Sequence, residues 1–261
     1  MEEEITRNLA ATRRCQALAL SNEKALSSPH PVVSIAQAGL PTALQLVAPQ
    51  QVKRRGLYTP EGLAALLHAL CHIEFNAINL ALDAAYRFVN MPAPFYTEWL
   101  QIAVEEAYHF ELLQQQLEGL GYTYGSFPAH HGLWEMARKT EHDVMVRMAL
   151  VPRVLEARGL DVTPHLQHKL RQSKQAKIRA ILDIILQDEI KHVEIGNRWY
   201  AYCCLQRGLE PLETFQQLYH HYQPPKFSGA LNRSARRQAG FIEAELDLIE
   251  SFNVHISNTQ G

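Results

Sequence analysis

The sequence predicts an all-α fold, a four-helix bundle with an N-terminal wrap and extra C-terminal helices. Three observations carry this expectation. Long stretches place apolar residues three and four apart, the period of a helix with one buried face. Clusters of proline and glycine cut the chain between those stretches. Two four-residue words, Glu106-Ala-Tyr-His109 and Glu189-Ile-Lys-His192, each follow a lone glutamate at nearly the same distance, 32 residues from Glu74 to Glu106 and 33 from Glu156 to Glu189.

Residues 3–26 have helix-forming composition, and the Pro- and Gly-bearing stretch Ser27–Gly56 reads as an extended wrap across the bundle. Thr59-Pro60-Glu61 opens the first bundle helix with a capping hydroxyl, a proline in the first turn and an acid near the positive dipole end. That helix runs to about Asn90, Pro92 and Pro94 make the turn, and a second helix covers about Phe95 to Leu117 before Gly119 and Gly121 end it. Tyr122–His131, with Gly125, Pro128 and the paired His130 and His131, is long enough for the one crossover that ferritin-like topologies need. A third helix covers about Leu133 to Val162, kinked at Pro152 so that a backbone carbonyl is freed, before a second Thr-Pro start at Thr163-Pro164. The fourth spans Ala176–Arg207 and stops at Gly208; Pro211–Tyr222 and Gly229–Phe252 read as two further helices, separated by Pro224-Pro225. The expected organisation is therefore 1–58 as N-terminal helix and wrap, 59–208 as bundle, and 209–261 as helical extension.

Acids and histidines interrupt the apolar stripes at matching places. On a helix, positions i and i+3 share a face, so the Glu and His of each word can reach one metal ion. The second helix reads Trp99, Ile102, Glu106, His109, Leu113, Leu120; the fourth reads Leu182, Ile185, Glu189, His192, Gly196, Trp199, Cys203; the first offers Leu67, Leu70, Glu74, Ala77, Ala81. Gly196 costs helix propensity but lets a neighbouring helix or ligand come close. An unpaired carboxylate in a core costs several kcal/mol or takes a proton, and a metal pair removes that cost at all three stripes together.

Two helix pairs, each giving a lone Glu and a Glu-x-x-His, are the donor set of a di-iron or di-manganese carboxylate centre. Glu74, Glu106, His109, Glu156, Glu189 and His192 are the expected ligands, and the same residues the catalytic ones. The four glutamates and two ferrous ions would be formally neutral. Iron is the first expectation, with manganese or a mixed Mn/Fe pair as alternatives and zinc as an adventitious occupant. Glu105 and Asp188, each one residue before a ligand glutamate, are candidate acceptors for the outer nitrogens of His109 and His192. Glu141 also lies on an amphipathic stretch; the matched spacing favours Glu156 over it.

The chain has 261 residues, 47% hydrophobic, enough for a sizeable core. A net charge of −2 gives no overall electrostatic footprint for nucleic acid, and the basic clusters Lys53-Arg54-Arg55 and Arg233, Arg236, Arg237 read as surface or salt-bridge residues. Cysteines 15, 71, 203 and 204 form no Cys-x-x-Cys word and read as buried free thiols. The acidic start Met1-Glu2-Glu3-Glu4 is unlike a signal peptide, and His68, His72 and Glu74 interrupt the best apolar run, so a soluble cytoplasmic protein without membrane contact is expected.

His72-Ile73-Glu74, the run Ala81–Phe88, Glu105–Phe110, Leu155–Asp161 and Asp188–Val193 resemble the ferritin-like family called domain of unknown function 455, over roughly residues 35 to 250. Glu156-Ala157-Arg158 and Glu105–Phe110 also look like words that supply ligands in the tRNA-modifying di-iron hydroxylases, a likeness that again points to Glu156. After Arg158 this chain departs from them with Gly159-Leu160-Asp161. Ubiquinone-pathway hydroxylases and manganese catalases use a similar ligand plan.

The expected activity is that of a di-iron oxidoreductase, which activates dioxygen to hydroxylate or desaturate an organic substrate, small or nucleic-acid-borne, and is reset by an external electron donor. The alternatives are a ferroxidase or iron-handling protein, and manganese-dependent peroxide disproportionation. The extensions flanking the bundle suggest a monomer or small homo-oligomer rather than a cage.

Overall fold

The computed structural model describes residues 31–53, 55–225 and 229–254. The expected helix at 3–26, the acidic start and Cys15 lie outside the described residues. Within them the fold is all-helical, packed as a helical bundle with no sheet; a lone parallel bridge joins Leu46 to Ala129. The chain divides into two compact units, one holding residues through Glu141 with Lys169–Ile181, the other His142–His168 with Leu182–Gly261.

The first unit is built on α1, Pro60–Arg87, and α2, Ala93–Glu118, which pack along each other. The Thr59 hydroxyl accepts from Gly62 N–H at 3.0 Å, the cap expected from Thr-Pro-Glu. α1 ends at Arg87, three residues before the expected Asn90, where Arg87 pairs with Asp83 at 2.6 Å. Its buried residues include His68, Cys71, His72, Glu74, Asn76 and Asp83, while Leu70 is only half-buried. By length and composition α1 is apolar enough to cross a membrane, contrary to the reading of its polar interruptions, but most of it is buried inside the protein. In α2 the stripe passes from Leu113 to Leu117, which is fully buried, rather than to Leu120, which lies past the helix end and is half-buried.

From residue 31 to residue 48 the described chain has no helix and is tied to later segments by hydrogen bonds. Val33 N–H donates to the Tyr86 hydroxyl, the Trp134 indole donates to Ile35 O, and the 45–47 strip exchanges backbone hydrogen bonds with Ala129. Tyr124, from the segment after α2, drops its ring among Phe75, Phe110 and His68, each 5.3 Å away between centroids. Two short elements complete the part of this unit before residue 142: a turn of 3-10 helix, Pro49–Gln51, and α3, Gly132–Lys139.

In the second unit the single helix expected over about Leu133 to Val162 is replaced by several pieces. The chain breaks after α3, and Asp143 starts α4, Val144–Leu150, by accepting from Met145 N–H at 2.7 Å. A π-helical segment, Val151–Glu156, follows and leads into α5, Ala157–Gln172. Thr163-Pro164 is therefore inside a helix rather than at its start. Pro164 has no N–H for the carbonyl of Leu160, and the Asn232 side chain donates to that oxygen at 3.1 Å instead. α6 runs Ala176–Arg207 and α7 Pro211–Tyr222, both as expected. Gly208 ends α6 at φ +64°, with Leu209 N–H returning to Cys204 O at 2.9 Å. The helix expected over Gly229–Phe252 is two, α8, Arg233–Gln238, and α9, Glu243–Val254, because Gly240 turns the chain at φ +87°.

Candidate metal centre

Glu74 on α1 and Glu106 and His109 on α2 meet inside the first unit. All three are buried, and one ligand atom from each lies within 4.8 Å of the others. His109 Nδ1 hydrogen-bonds Glu106 Oε2 at 3.4 Å and stands 3.3 Å from Glu74 Oε2, at ion-pair distance but misdirected for a hydrogen bond. Glu74 Oε2 is accordingly a buried carboxylate oxygen with no hydrogen-bond partner.

The electrostatics of these three groups follow from their isolation. Burial and the charge of Glu106 push the Glu74 carboxyl up to about 8, against the opposing pull of His109. Burial disfavours the charged ring of His109, but its interactions with Glu106 and Glu74 outweigh that and raise it to about 11. At neutral pH the metal-free triad therefore keeps protons on Glu74 and His109 to hold its charge near zero. A divalent cation would take the place of those protons. Two carboxylates and an imidazole, with one oxygen unsatisfied, fit iron or manganese and would accept zinc.

The second unit presents the other word. Glu189 and His192 are buried one turn apart on α6, and a carboxylate oxygen and a ring nitrogen lie within 4.8 Å of each other. Every residue of the expected α6 stripe, Leu182 to Cys203, is buried. Gly196 works as anticipated: an added Cβ would strike the ring of Pro152, so the glycine lets the π segment close on α6.

Glu156 is the last residue of that π segment and is half-buried. In place of the expected kink, Pro152 O accepts from Ala157 N–H, a wider turn of the kind that recurs at functional sites. Glu141, the competing third-helix acid, sits in the turn after α3, where Ser34 Oγ donates to it at 2.8 Å and Arg87 pairs with it at 3.5 Å. Glu105 accepts from Gln101 at 2.9 Å, and Asp188 pairs with Lys191 at 3.3 Å.

The sequence reading passed over a network beside the triad. His72 Nε2 faces the carbonyl of His130 at 2.9 Å and must donate to it, so Nδ1 accepts from the Tyr124 hydroxyl at 2.7 Å. His68 Nε2 accepts from Gly125 N–H at 2.9 Å. Burial lowers both rings to about 4, with His72 adding to the effect on His68 and the His130 carbonyl opposing it on His72. The signal was available as two histidines four apart on an apolar helix. Cys71, Cys203 and Cys204 are buried free thiols, as expected.

A family model described as "Protein of unknown function (DUF455)" matches residues 1–247. The chain is also 53% identical over 219 residues to an uncharacterized protein of Haemophilus influenzae, spanning 81% of this chain and 76% of that one. No solved structure matches it.

Proposed function

The chain belongs to the DUF455 family of proteins of unknown function, and we propose that it is a dinuclear metal oxidoreductase that uses dioxygen to hydroxylate or desaturate an organic substrate. The buried Glu74–Glu106–His109 triad carries this reading. An architectural core has no use for two carboxylates placed so that burial, and then their mutual repulsion, favour a proton on one of them. In the proposal Glu74, Glu106 and His109 would hold one ion, and Glu156, Glu189 and His192 would hold the other. A redox-active pair such as iron would supply oxygen activation, with an external electron donor to reset it.

The protein's own residues set the conditions for that chemistry. The buried ligands exclude bulk water, so charge interactions inside are stronger than at the surface. His109 turns Nδ1 toward both carboxylates and is already oriented for an ion between them. The Glu156-bearing π segment, held against α6 by Pro152 and Gly196, places a half-buried acid beside a backbone that is not locked in α-helical register. Such a carboxylate suits the role of a ligand that shifts during turnover. Ferroxidase activity and manganese-dependent peroxide disproportionation use the same donor set and are the competing readings.

Metal content and oxygen consumption by the reduced, iron-loaded protein decide among them. Two irons per chain and oxygen uptake that Glu106→Ala and Glu189→Ala abolish, with the helical circular dichroism retained, are the expected results. A hollow many-subunit shell taking up far more than two irons per chain would move the assignment to iron storage. Loss of fold in both variants without metal would make these residues structural.

A further inference from the structure

The second unit contains a cluster of positive charge that the metal reading does not use. Arg153 and Arg158, at the π segment and just past it, and Arg236 of α8 line one small cavity with Tyr219 and three aliphatic side chains. In a regular α-helix residues five apart point about 140° away from each other. The π turn, which closes i to i+5, brings Arg153 and Arg158 to the same cavity.

Two of the three guanidiniums are bonded yet keep a donor to spare, and Arg236 also gives Nη2 to the Ala157 carbonyl at 3.3 Å. Arg153 donates to Glu245 at 2.6 Å and lies within 5.0 Å of the ring centres of Tyr200, Phe215 and Phe241, yet its Nε has no hydrogen bond. Arg236 gives Nε and Nη2 to Asp161, at 3.0 and 2.7 Å, and its Nη1 is without a partner. Both side chains are 3% exposed. Arg158 lines the cavity and makes no hydrogen bond or ion pair with a described residue. Three arginines against Asp161 and Glu245 leave one positive charge uncompensated.

We propose that this cavity binds a small monovalent anion, a single halide of the size of chloride. The charge sets the valence, since one negative charge neutralises the cluster and two would overshoot. The room sets the size: about 20 Å³ is open to atom centres, enough for roughly one water-sized particle and too little for the four oxygens of phosphate. The spare Nε and Nη1 donors and the free Arg158 head are the recognition groups. A water molecule would satisfy a donor and leave the charge. The bound anion braces the π segment from the side of Arg153 and Arg158, independently of whether Glu156 binds metal.

Thermal unfolding of the full chain, treated with chelator and held at constant ionic strength with sodium gluconate, tests this. Titrating in sodium chloride is expected to raise the midpoint saturably by a few degrees, with bromide acting similarly and phosphate adding nothing. Arg158→Gln is expected to abolish the chloride shift. Equal midpoints in chloride and gluconate, a shift produced by phosphate but not chloride, or a full shift in Arg158→Gln would each overturn the proposal. If Arg158→Gln does not fold, crystals of the unaltered protein grown in bromide decide: an anomalous peak among Arg153, Arg158 and Arg236 upholds the site, and its absence there rejects it.

Discussion

At the scale of single residues, what distinguishes this protein is how many ionisable groups it removes from water. Glu74, Glu106, His109, His68 and His72 are all buried in the first unit. The two non-ligand rings make a separable prediction about pH. His68 titrates near 6.5 when the chain is unfolded and at about 4 when folded. Above pH 6.5 both states are neutral there. Between 6.5 and 4 only the unfolded chain takes up the proton, so stability is lost as pH falls through that window and levels off below it. His72 acts in the same direction. In chelator-treated protein Glu74 and His109 add slopes of opposite sign, and these cancel when wild type is compared with His68→Gln, whose amide oxygen can still accept from Gly125 N–H. Urea unfolding between pH 7 and 5 is expected to show a shallower acid-side decline in the variant, by up to about 1.4 kcal/mol per pH unit. Parallel curves would mean that His68 is already protonated in the folded state.

At the scale of elements, the informative piece is the chain from Val144 to Gln172. It carries two prolines inside helical structure, and each is accommodated by a specific neighbour. Pro164 leaves the Leu160 carbonyl to Asn232. Pro152 sits in the π turn and fills the space that the missing side chain of Gly196 leaves on α6. Gly196→Ala should therefore destabilise the protein by about 1–3 kcal/mol, despite the better helix propensity of alanine, because the new methyl group overlaps a proline ring that cannot rotate away. The urea midpoint at constant slope measures it. A stability equal to or above wild type would show that α6 and the π segment pack more loosely than described.

At the scale of the whole molecule, the metal reading makes folding stability depend on metal. Without an ion the folded chain must keep protons on Glu74 and His109, and binding an ion only in the folded state adds stability by mass action. Ligands must shed those protons to bind, so the stabilisation is expected to grow as pH rises from 6 to 8. At 100-fold excess over the dissociation constant it reaches about 2.7 kcal/mol per site. Differential scanning calorimetry across a chelator, ferrous iron and manganese series reads this out. A midpoint indifferent to all three at both pH values would remove the support for a metal centre.

The sequence by itself determined the helical class, the extents of α6 and α7, the cap of α1 and the inward placement of Glu74, Glu106, His109, Glu189 and His192. These follow from local rules: apolar periodicity, caps, and the i, i+3 spacing that puts two side chains on one face. Tertiary structure alone decided the rest. Leu117 replaced Leu120 in the core because a helix end is set by competing backbone partners as much as by pattern. The expected third helix broke at Thr140–Asp143, where Asp143 caps a new helix, and helical structure then continued through Pro164 because a distant asparagine supplies a hydrogen bond that no local window contains. The packing of the π turn's Pro152 on Gly196, the Tyr124–His72 pair and the arginine cavity join residues far apart in the chain, and the free energy that holds them comes from burial and pairing that exist only once the units have formed.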